Sequence, residues 1–436
     1  MENYIQRIKD AGIVGAGGAG FPTHVKLSAK AKLVIINGAE CEPLLRVDQQ
    51  LMEFYSQDVV DGLKIAIEQV GAEEGVICLK TKYANAITNL EKIVKDIPNI
   101  RLQIIKDYYP AGDEVQLVYE VTKKVVPLMG IPLDVGVVVI NVLTSINIAR
   151  NIAVTERVIT VAGAVGKPTT FIAPVGTPYS ELITASDGPV DIENYRIIVG
   201  GPMMGDVELD WDTPITKLTG GLIILPKEHS LVIKKTRTTE TDLNLTKAIC
   251  CQCTMCTDMC PKYILGLHTE PHKVMRGLAN QDPTALGTIL SVVSCNNCNL
   301  CSLYACPMDL DPGKITTMVK NSLLKKGART EKIVPQETDE LRESKKVPTK
   351  RLIARLDLAE YNVPAPLIHE TFKTKQVKVM LKQHIGVVAK PLVLLGDNVY
   401  KGDLIGTCDD KLGANVHASI NGKVIDITDS YIEIRN

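Results

Sequence analysis

Eight of the twelve cysteines in this chain fall into two quartets, and each quartet ends in a Cys-Pro pair. The first quartet comprises Cys250, Cys253, Cys256 and Cys260, followed by Pro261. The second comprises Cys295, Cys298, Cys301 and Cys306, followed by Pro307. Cysteine thiolates at such spacings bind iron–sulfur clusters. The sequence therefore predicts a module that carries electrons one at a time.

Zinc is the alternative metal for paired C-x2-C motifs. Four-coordinate zinc requires neither a third cysteine at the same spacing nor a trailing Cys-Pro, so the pattern favours clusters. Cys251 fits neither quartet and is predicted to bind nothing. Disulfides are disfavoured, because nothing at the N-terminus resembles a secretory signal and free thiols belong to a reducing compartment.

The first quartet has the C-x2-C-x2-C-x3-C-P spacing of bacterial two-cluster ferredoxins, in which the fourth cysteine binds the other cluster. This resemblance implies two [4Fe–4S] clusters with crossed ligands. One would be bound by Cys250, Cys253, Cys256 and Cys306, and the other by Cys295, Cys298, Cys301 and Cys260. The second quartet has four residues instead of three before its last cysteine. The extra residue predicts an enlarged turn.

A glycine run near the N-terminus is a second candidate site. It comprises Gly12, Gly15, Gly17, Gly18 and Gly20, and Phe21, Pro22, Thr23 and Lys26 follow. Glycines let backbone amides approach a phosphate, and a lysine adds a positive charge. The run does not match G-x-G-x-x-G after a strand. By itself it leaves both a nucleotide site and a flexible loop open.

Alternating hydrophobic segments must position these residues. The pattern predicts helices at 5–11, 48–70 and 84–94, and strands at 33–37, 75–79 and 102–105. This alternation indicates a parallel or mixed sheet covered by helices. Residues 156–231 are predicted to form short strands with Gly-Lys-Pro and Gly-Thr-Pro turns. Gly200, Gly201 and Gly205 are predicted to be turn residues, and Met203 and Met204 are predicted to fill the core. The insert 265–293 between the quartets is predicted to be largely helical, and a further helix follows Pro312.

Composition excludes several classes of function. At 436 residues the chain is long enough for about three domains. The net charge of −1 and the aromatic content of 4% provide no basic or stacking surface for nucleic acid. The longest apolar runs, around 137–143 and 222–225, are strand-sized, so no transmembrane segment is predicted.

Four short segments occur in the same order as the flavin- and NADH-binding segments of the flavoprotein subunit of respiratory complex I. They are GAGGAGFPTHVK, INGAECEP, YPAGDE and INVLT. The C subunit of the Rnf electron-transport complex carries the same set. The resemblance implies that Gly15, Gly17, Gly18 and Lys26 hold the FMN phosphate and ribityl chain, that Asn37, Asn141 and Thr144 lie against the flavin with Tyr109 nearby, and that Glu40, Glu42, Asp113 and Glu114 line the path of NADH. Ala39 and Cys41 depart from the complex I pattern in the NADH segment.

The resemblance implies a multi-domain α/β fold. Its parts are a complex I flavoprotein-like FMN- and NADH-binding domain (1–155), a soluble-ligand-binding β-grasp domain (156–235), a ferredoxin-like helical domain with two [4Fe–4S] clusters (240–325), a charged linker (326–360) and an all-β barrel-sandwich hybrid domain (361–436). The last resembles lipoyl and biotinyl carriers but lacks their attachment motif, so a structural or docking role is expected.

Domain order separates two related families. The Rnf C subunit has its barrel-sandwich domain first, whereas here it is last, as in the cobalamin reductases of propanediol-utilisation microcompartments. That resemblance implies an NADH-dependent oxidoreductase that passes electrons through FMN and two clusters to a corrinoid or to a corrinoid-handling adenosyltransferase, in the cytoplasm or in a microcompartment. Because no cobalt-ligating D-x-H-x-x-G motif is present, contact with the corrinoid is expected to be transient. The alternatives are an Rnf-like subunit that serves a membrane complex or a proline reductase, and an iron–sulfur scaffold whose flavin site has decayed.

Overall fold

A four-stranded parallel sheet in the order β3-β2-β1-β5 forms the first part of the molecule. The computed structural model describes residues 4–280, 290–328, 331–335, 337–409 and 411–436. The elements of this part are α1 (Tyr4–Asp10), α2 (Thr23–Leu27), β1 (Leu33–Gly38), α3 (Val47–Phe54), α4 (Ser56–Val70), β2 (Glu74–Lys80), α5 (Ala84–Val94), β3 (Ile100–Ile105), β4 (Tyr108–Tyr109), α6 (Glu114–Thr122), a 3-10 turn (Pro132–Val135), β5 (Val137–Asn141) and α7 (Val142–Arg150). The predicted sheet, expected to be parallel or mixed, is confirmed and is parallel throughout. Its Val- and Ile-rich strands are buried because helices cover both faces.

The single helix predicted at 48–70 is wrong, since the chain forms α3 and α4 with a break at Tyr55. Tyr55 has φ −123° and ψ 35°, outside the helical region. The Ser56 hydroxyl donates to the carbonyl oxygen of Met52 at 2.5 Å. Serine hydroxyls compete in this way with backbone hydrogen bonds of a helix, and hydrophobic periodicity alone does not register the competition.

A six-stranded mixed sheet in the order β12-β7-β6-β10-β8-β9 follows. Its elements are β6 (Glu156–Gly163), β7 (Thr169–Pro174), α8 (Tyr179–Ala185), a 3-10 turn (Ile192–Asn194), β8 (Tyr195–Val199), β9 (Asp206–Glu208), β10 (Gly221–Pro226) and β12 (Leu367–Thr371). The last strand of the run, β10, pairs in parallel with the first, β6. The outermost strand, β12, comes from near the C-terminus.

Short helices and turns carry the cysteine quartets. The elements are α9 (Ser230–Thr236), α10 (Thr239–Ile249), α11 (Met255–Asp258), α12 (Pro261–Ile264), α13 (Pro271–Asn280), a π-helical turn (Cys301–Ala305) and α14 (Pro312–Lys325). The helix predicted after Pro312 is confirmed. Of the insert predicted to be largely helical, α13 is helical, while residues 281–289 lie outside the described residues.

The charged segment 326–360 differs, where it is described, from the solvated linker that its composition predicts. It forms α15 (Arg342–Lys345), β11 (Val347–Pro348) and α16 (Thr349–Arg355). Strand β11 pairs antiparallel with β4. Leu352 and Ile353 of α16 are buried in the same core as Tyr109 and Cys298. The segment therefore packs against both the first part of the molecule and the cysteine-bearing part.

Two small antiparallel sheets complete the chain, in the orders β13-β19-β18-β15 and β14-β16-β17. Their strands are β13 (Gln376–Met380), β14 (Lys390–Pro391), β15 (Asn398–Val399), β16 (Leu404–Thr407), β17 (Val416–His417), β18 (Gly422–Ile427) and β19 (Tyr431–Arg435). They enclose one apolar core, and residues 376–436 are called the C-terminal β unit below. Among the described residues, no helix combines the length and apolar character needed to cross a bilayer.

Candidate functional site

A cavity of about 610 Å³ lies at the carboxyl ends of the neighbouring strands β1 and β5. Ligands of open parallel sheets bind at this edge, where the order of strands reverses. All but one of the residues that the resemblance assigns to FMN and NADH line the cavity. They are Gly15, Gly17, Gly18, Lys26, Asn37, Glu40, Glu42, Asp113, Glu114, Asn141 and Thr144. The six-stranded sheet supplies the opposite wall, and Asn296 reaches it from the second cysteine quartet.

The glycine loop, residues 12–20, lies across the start of α7. The amide of Ala16 donates to Thr144 Oγ1 at 2.9 Å. A Cβ atom on Gly17 would lie 2.9 Å from Asn141 Nδ2, whereas one on Gly18 would meet no atom within 4 Å. Gly17 thus permits the close approach to Asn141, and Gly18 leaves open space in the cavity. A backbone this accessible fits a phosphate or a ribityl chain.

Asn141 is held in place from both sides. Its Oδ1 accepts from the amide of Leu143 at 2.9 Å, which caps α7, and its Nδ2 donates to Asp48 at 3.1 Å. Burial, with the nearby charge of Glu40 adding to it, raises the pKa of Asp48 to about 7. The sequence gives no sign of the role of Asp48, because an acidic residue in the first turn of a helix is common and carries no site signal.

Arg157 is a second site residue that the sequence did not reveal. Its side chain is buried and donates from Nε to Thr219 O at 2.8 Å and from Nη2 to Ala16 O at 3.1 Å. Its Nη1 has no hydrogen-bond partner among the described residues. Burial lowers its pKa to about 10, and the charges of Asp48 and Glu40 oppose that shift. A buried donor without a partner beside a cavity fits an oxygen or an anionic group of a bound cofactor.

Lys26 and Asn37 occupy the wall between β1 and β5. Lys26 Nζ donates to the carbonyl oxygen of Val139 at 2.9 Å and lies 3.5 Å from Glu114 Oε1. Asn37 Nδ2 donates to Gly112 O at 2.8 Å. Gly112 belongs to the YPAGDE segment, so Asn37 joins two of the segments that the resemblance singled out. The carbonyl bond holds the Lys26 ammonium at the cavity wall.

Glu42 is bound by the backbone of the opposite wall. Its carboxylate accepts from the amides of Met203 at 2.8 Å and Met204 at 2.9 Å. Burial raises its pKa to about 7, with Glu40 adding to the shift, and burial also raises the pKa of Glu40. Met203 is buried as predicted. Met204 is wrong as core filler, because its side chain is half exposed and lines the cavity.

Asp113 and Tyr109 connect the cavity to the cysteine-bearing part. Asp113 caps α6, pairs with Lys262 at 2.9 Å and accepts from Asn296 Nδ2 at 2.6 Å. Tyr109 lies behind the cavity wall, fully buried, and its hydroxyl donates to the carbonyl oxygen of Cys298 at 2.7 Å. Both residues thus serve the contact between the two parts.

The cysteines form two crossed sets. Cys250, Cys253, Cys256 and Cys306 line one small pocket near the surface, together with Cys251. Burial raises the pKa of Cys256 to about 12, and Cys306 is its strongest thiol neighbour. Burial likewise raises the pKa of Cys260 to about 12, with Cys295 adding to it. The pKa of Cys298 is raised by burial and then by Cys260. The pKa of Cys301 is raised by burial and then by Cys298, Cys295 and Cys260, so these four thiols lie close together and are called the second set below.

The enlarged turn predicted in the second quartet is confirmed as a π-helical turn. The amide of Cys306 donates to the carbonyl oxygen of Cys301 at 3.1 Å, five residues back. Such turns absorb one extra residue and are frequent at functional sites. Both quartets also contain left-handed residues at matching positions, Gln252 and Thr254 in the first and Asn297 and Asn299 in the second.

Backbone amides lie close to thiols of both sets. The amide of Met255 points at the sulfur of Cys253, and that of Leu300 points at the sulfur of Cys298. Hydrogen bonds to sulfur are one of the means by which proteins tune cluster potentials.

Comparisons with known families agree with this arrangement. The family model of the Nuo51 FMN-binding domain matches residues 8–150. A 4Fe-4S dicluster domain matches residues 249–311, and the RnfC barrel sandwich hybrid domain matches residues 364–435. The chain thus combines the domains of a flavin and iron–sulfur electron carrier.

The cobalamin reductases PduS of Citrobacter freundii and Salmonella typhimurium are each 40% identical to the chain over 434 residues, which is 98% of this chain and 95% of theirs. The chain therefore belongs to the PduS cobalamin reductase family. A component of the Na⁺-translocating ferredoxin:NAD⁺ oxidoreductase complex of Acetobacterium woodii is 36% identical over 273 residues, 61% of this chain and 58% of that one.

Among solved structures, the NAD⁺-reducing [NiFe]-hydrogenase in the air-oxidized state aligns with a TM-score of 0.49 and 17% sequence identity. The alignment covers 83% of this chain and 67% of that one. The H2-reduced state of the hydrogenase gives a TM-score of 0.48.

Proposed function

We propose that this protein oxidises NADH and passes the electrons through FMN and two [4Fe–4S] clusters to cobalamin. The observation that carries this proposal is the junction of the cavity with the second cysteine set, through Asn296 and Asp113 on one side and the Tyr109 bond to Cys298 on the other. FMN accepts a hydride and releases electrons singly, and each cluster accepts one electron. The chain's task is to hold these groups beside one another.

The cavity offers hydrogen-bond donors and an exposed backbone that suit FMN. The glycine loop, with Gly15, Gly17 and Gly18, and the Lys26 ammonium would hold the phosphate and ribityl chain. Asn37, Asn141 and Thr144 would lie against the flavin, and the free Nη1 of Arg157 is a further donor toward it. Tyr109, assigned near the flavin by resemblance, contributes from behind the wall by fixing the Cys298 loop.

NADH would enter between the two walls of the cavity. Glu42 and Asp113 already have strong partners, the amides of Met203 and Met204 for the first and Lys262 for the second. They would therefore shape the entrance. Glu40, which accepts from the amide of Glu42 at 3.0 Å, and Glu114, 3.5 Å from Lys26 Nζ, would line the path of NADH with them. The second wall, 156–235, has β10 inserted in parallel beside β6, and this topology supports the β-grasp assignment.

The cysteine sets would each hold one cluster. Cys250, Cys253, Cys256 and Cys306 would bind the cluster near the surface, and Cys260, Cys295, Cys298 and Cys301 the cluster near the cavity. The first pocket opens at Cys251 and Cys253, both exposed. An acceptor could approach this side without entering the cavity.

The acceptor is proposed from family membership, since full-length relatives are cobalamin reductases. A corrinoid-handling adenosyltransferase would be the partner that receives the reduced corrinoid, and a cytoplasmic or microcompartment location would fit it. The second candidate, an Rnf-like subunit that feeds a membrane complex or an amino-acid reductase, is supported by the similarity to the protein from Acetobacterium woodii.

Anaerobic reconstitution with iron, sulfide and FMN, followed by rapid mixing with NADH, tests the proposal. We expect loss of flavin absorbance and then of cluster absorbance, and reoxidation of both on addition of hydroxocobalamin. Clusters that dithionite reduces but NADH does not would mean that electrons enter from a protein partner. Reduction by NADH without reoxidation by cobalamin would favour the second candidate.

A further inference from the structure

Both ends of the glycine loop are bonded to elements outside the first sheet. Lys217 Nζ donates to the carbonyl oxygens of Gly12 at 2.8 Å and of Asn415 at 2.9 Å. At the other end, the amide of Ile385 donates to the carbonyl oxygen of Gly20 at 3.1 Å. Asn415 and Ile385 belong to the C-terminal β unit. The middle of the loop lines the cavity, and both of its ends are thus linked to that unit by hydrogen bonds.

The glycines at the two ends lie at this contact. Gly12 has φ +65°, and a Cβ atom there would lie 2.3 Å from the carbonyl oxygen of Asn415. Gly20 has φ +74°, and a Cβ atom there would lie 3.0 Å from the carbonyl oxygen of Gln383. Both residues face the C-terminal β unit in a left-handed conformation, and at Gly12 the distance also excludes a side chain. Packing within the chain thus accounts for Gly12, while Gly20 also lines the cavity.

Lys217 is buried, with 4% of its surface exposed, and its backbone is hydrogen-bonded to the C-terminal β unit. Its amide donates to Gln383 Oε1 at 2.8 Å, and Gln383 Nε2 donates to Met380 O at 2.8 Å. The next residue, Leu218, lines the cavity. Burial lowers the pKa of Lys217 to about 7, and the two carbonyl oxygens accept hydrogen bonds from the buried amine in place of water.

We propose that the C-terminal β unit is a clamp that sets the shape of the glycine loop, with Lys217 as its positioning residue. In this role the unit would control how tightly the cavity holds FMN. The consequence for FMN rests on the proposed function, but the clamp itself does not, because every contact that defines it lies between residues of the chain.

Lys217→Met tests the clamp, since methionine keeps most of the side-chain length and cannot donate a hydrogen bond. Lys382→Met is the matched control, because Lys382 is exposed on the same segment as Gln383. Two quantities would be measured on the full chain with its clusters: hydrogen exchange of the amides of residues 12–20 without flavin, and the dissociation constant of FMN by fluorescence. For Lys217→Met we expect faster exchange at 12–20 and an FMN dissociation constant raised about tenfold, the effect of losing one charged hydrogen bond. Iron content should stay unchanged, and the control should match wild type.

Unchanged exchange at 12–20 in Lys217→Met would overturn the clamp, whatever the protein does with FMN. Faster exchange in a protein whose wild type binds no FMN would support the clamp and count against the proposed function. If Lys217→Met loses iron as well, Gln383→Asn, which shortens the side chain that receives the Lys217 amide, is measured in the same way. Wild-type exchange and FMN affinity in that variant would also overturn the clamp.

Discussion

At the scale of single residues, the cavity is lined by several charged side chains, most of which have little contact with water. Lys26, Arg157, Asp48, Glu40 and Glu42 all line it. Burial raises the pKa values of the three carboxyl groups, and Asp48 and Glu42 titrate near 7. The physical cause is desolvation, which disfavours the charged form of a carboxyl group.

Lys26→Ala tests the assignment of the cavity to FMN. Loss of the ammonium held at the wall by Val139 O should raise the FMN dissociation constant about tenfold, because a charge-assisted contact with a phosphate is lost. Flavin fluorescence and iron content are the measurements, and Lys30→Ala, at an exposed position shortly after α2, is the control. Equal loss of flavin and iron would indicate misfolding instead.

Asp48→Asn tests the buried carboxyl group through pH. The pKa of Asp48 is raised from about 3.9 in the unfolded chain to about 7 in the folded one. The folded state therefore binds more protons between these values, and the stability that Asp48 contributes is lost as pH rises through this window to about 7. Asparagine does not titrate and can still accept from Asn141. The thermal midpoint of the flavin-free variant should thus exceed that of wild type by more at pH 8 than at pH 5.5. An equal difference at both pH values would contradict this assignment.

At the scale of elements, the two cysteine loops are built alike and differ by one residue. The π-helical turn accommodates that residue while Cys306 still reaches the pocket of the first quartet. The spacing along the chain thus determines the ligand types, and the turn absorbs the extra residue so that the last cysteine still reaches the other set.

Cys306→Ser tests the crossed sets. Its own quartet keeps three cysteines, yet the cluster expected to be damaged is the one held by Cys250, Cys253 and Cys256. Iron and sulfide content should fall by about half, and electron paramagnetic resonance of the reduced protein should retain the signal of one cluster. Cys251→Ser, in the same pocket, is the control and should keep both. Full iron content in Cys306→Ser would refute the crossed arrangement.

At the scale of the whole molecule, buried polar contacts join parts that are far apart in sequence. The pair of Asp113 and Lys262 is the most enclosed of those beside the cavity, with side-chain exposures of 10% and 4%. It holds the start of α6 against α12 and thus the cavity against the second cysteine set. Because both charges are out of water, removing one partner leaves the other without compensation.

Lys262→Met should therefore lower the free energy of unfolding by about 3 kcal/mol, seen as a lower thermal midpoint of the reconstituted protein. Lys167→Met is the control, because the ion pair of Lys167 and Asp187 is exposed and such pairs contribute little. Both variants replace a lysine with methionine, but the ion pair of Lys262 is buried and that of Lys167 is exposed. Equal midpoints would show that the contact between the two parts does not depend on this pair.

The sequence by itself determined the properties that depend on spacing. The cysteine intervals specified iron–sulfur ligands, and the alternation of apolar segments specified a parallel or mixed sheet. Four ordered motifs identified most of the residues expected to hold the cofactors, and these residues line the cavity. These are local patterns, because period and spacing are set by the geometry of strands, helices and clusters over a few residues.

Only the tertiary structure decided which distant groups complete the site. Asp48, Arg157 and Lys217 carry no sequence signal, because each becomes important through a partner more than 90 residues away. The packing of the charged segment and the exposure of Met204 were missed for the same reason, whereas the break at Tyr55 follows from the local contact of the Ser56 hydroxyl with Met52. The cost of burying a charge or a donor depends on what else is folded around it, and that information exists only once the chain has brought those partners together.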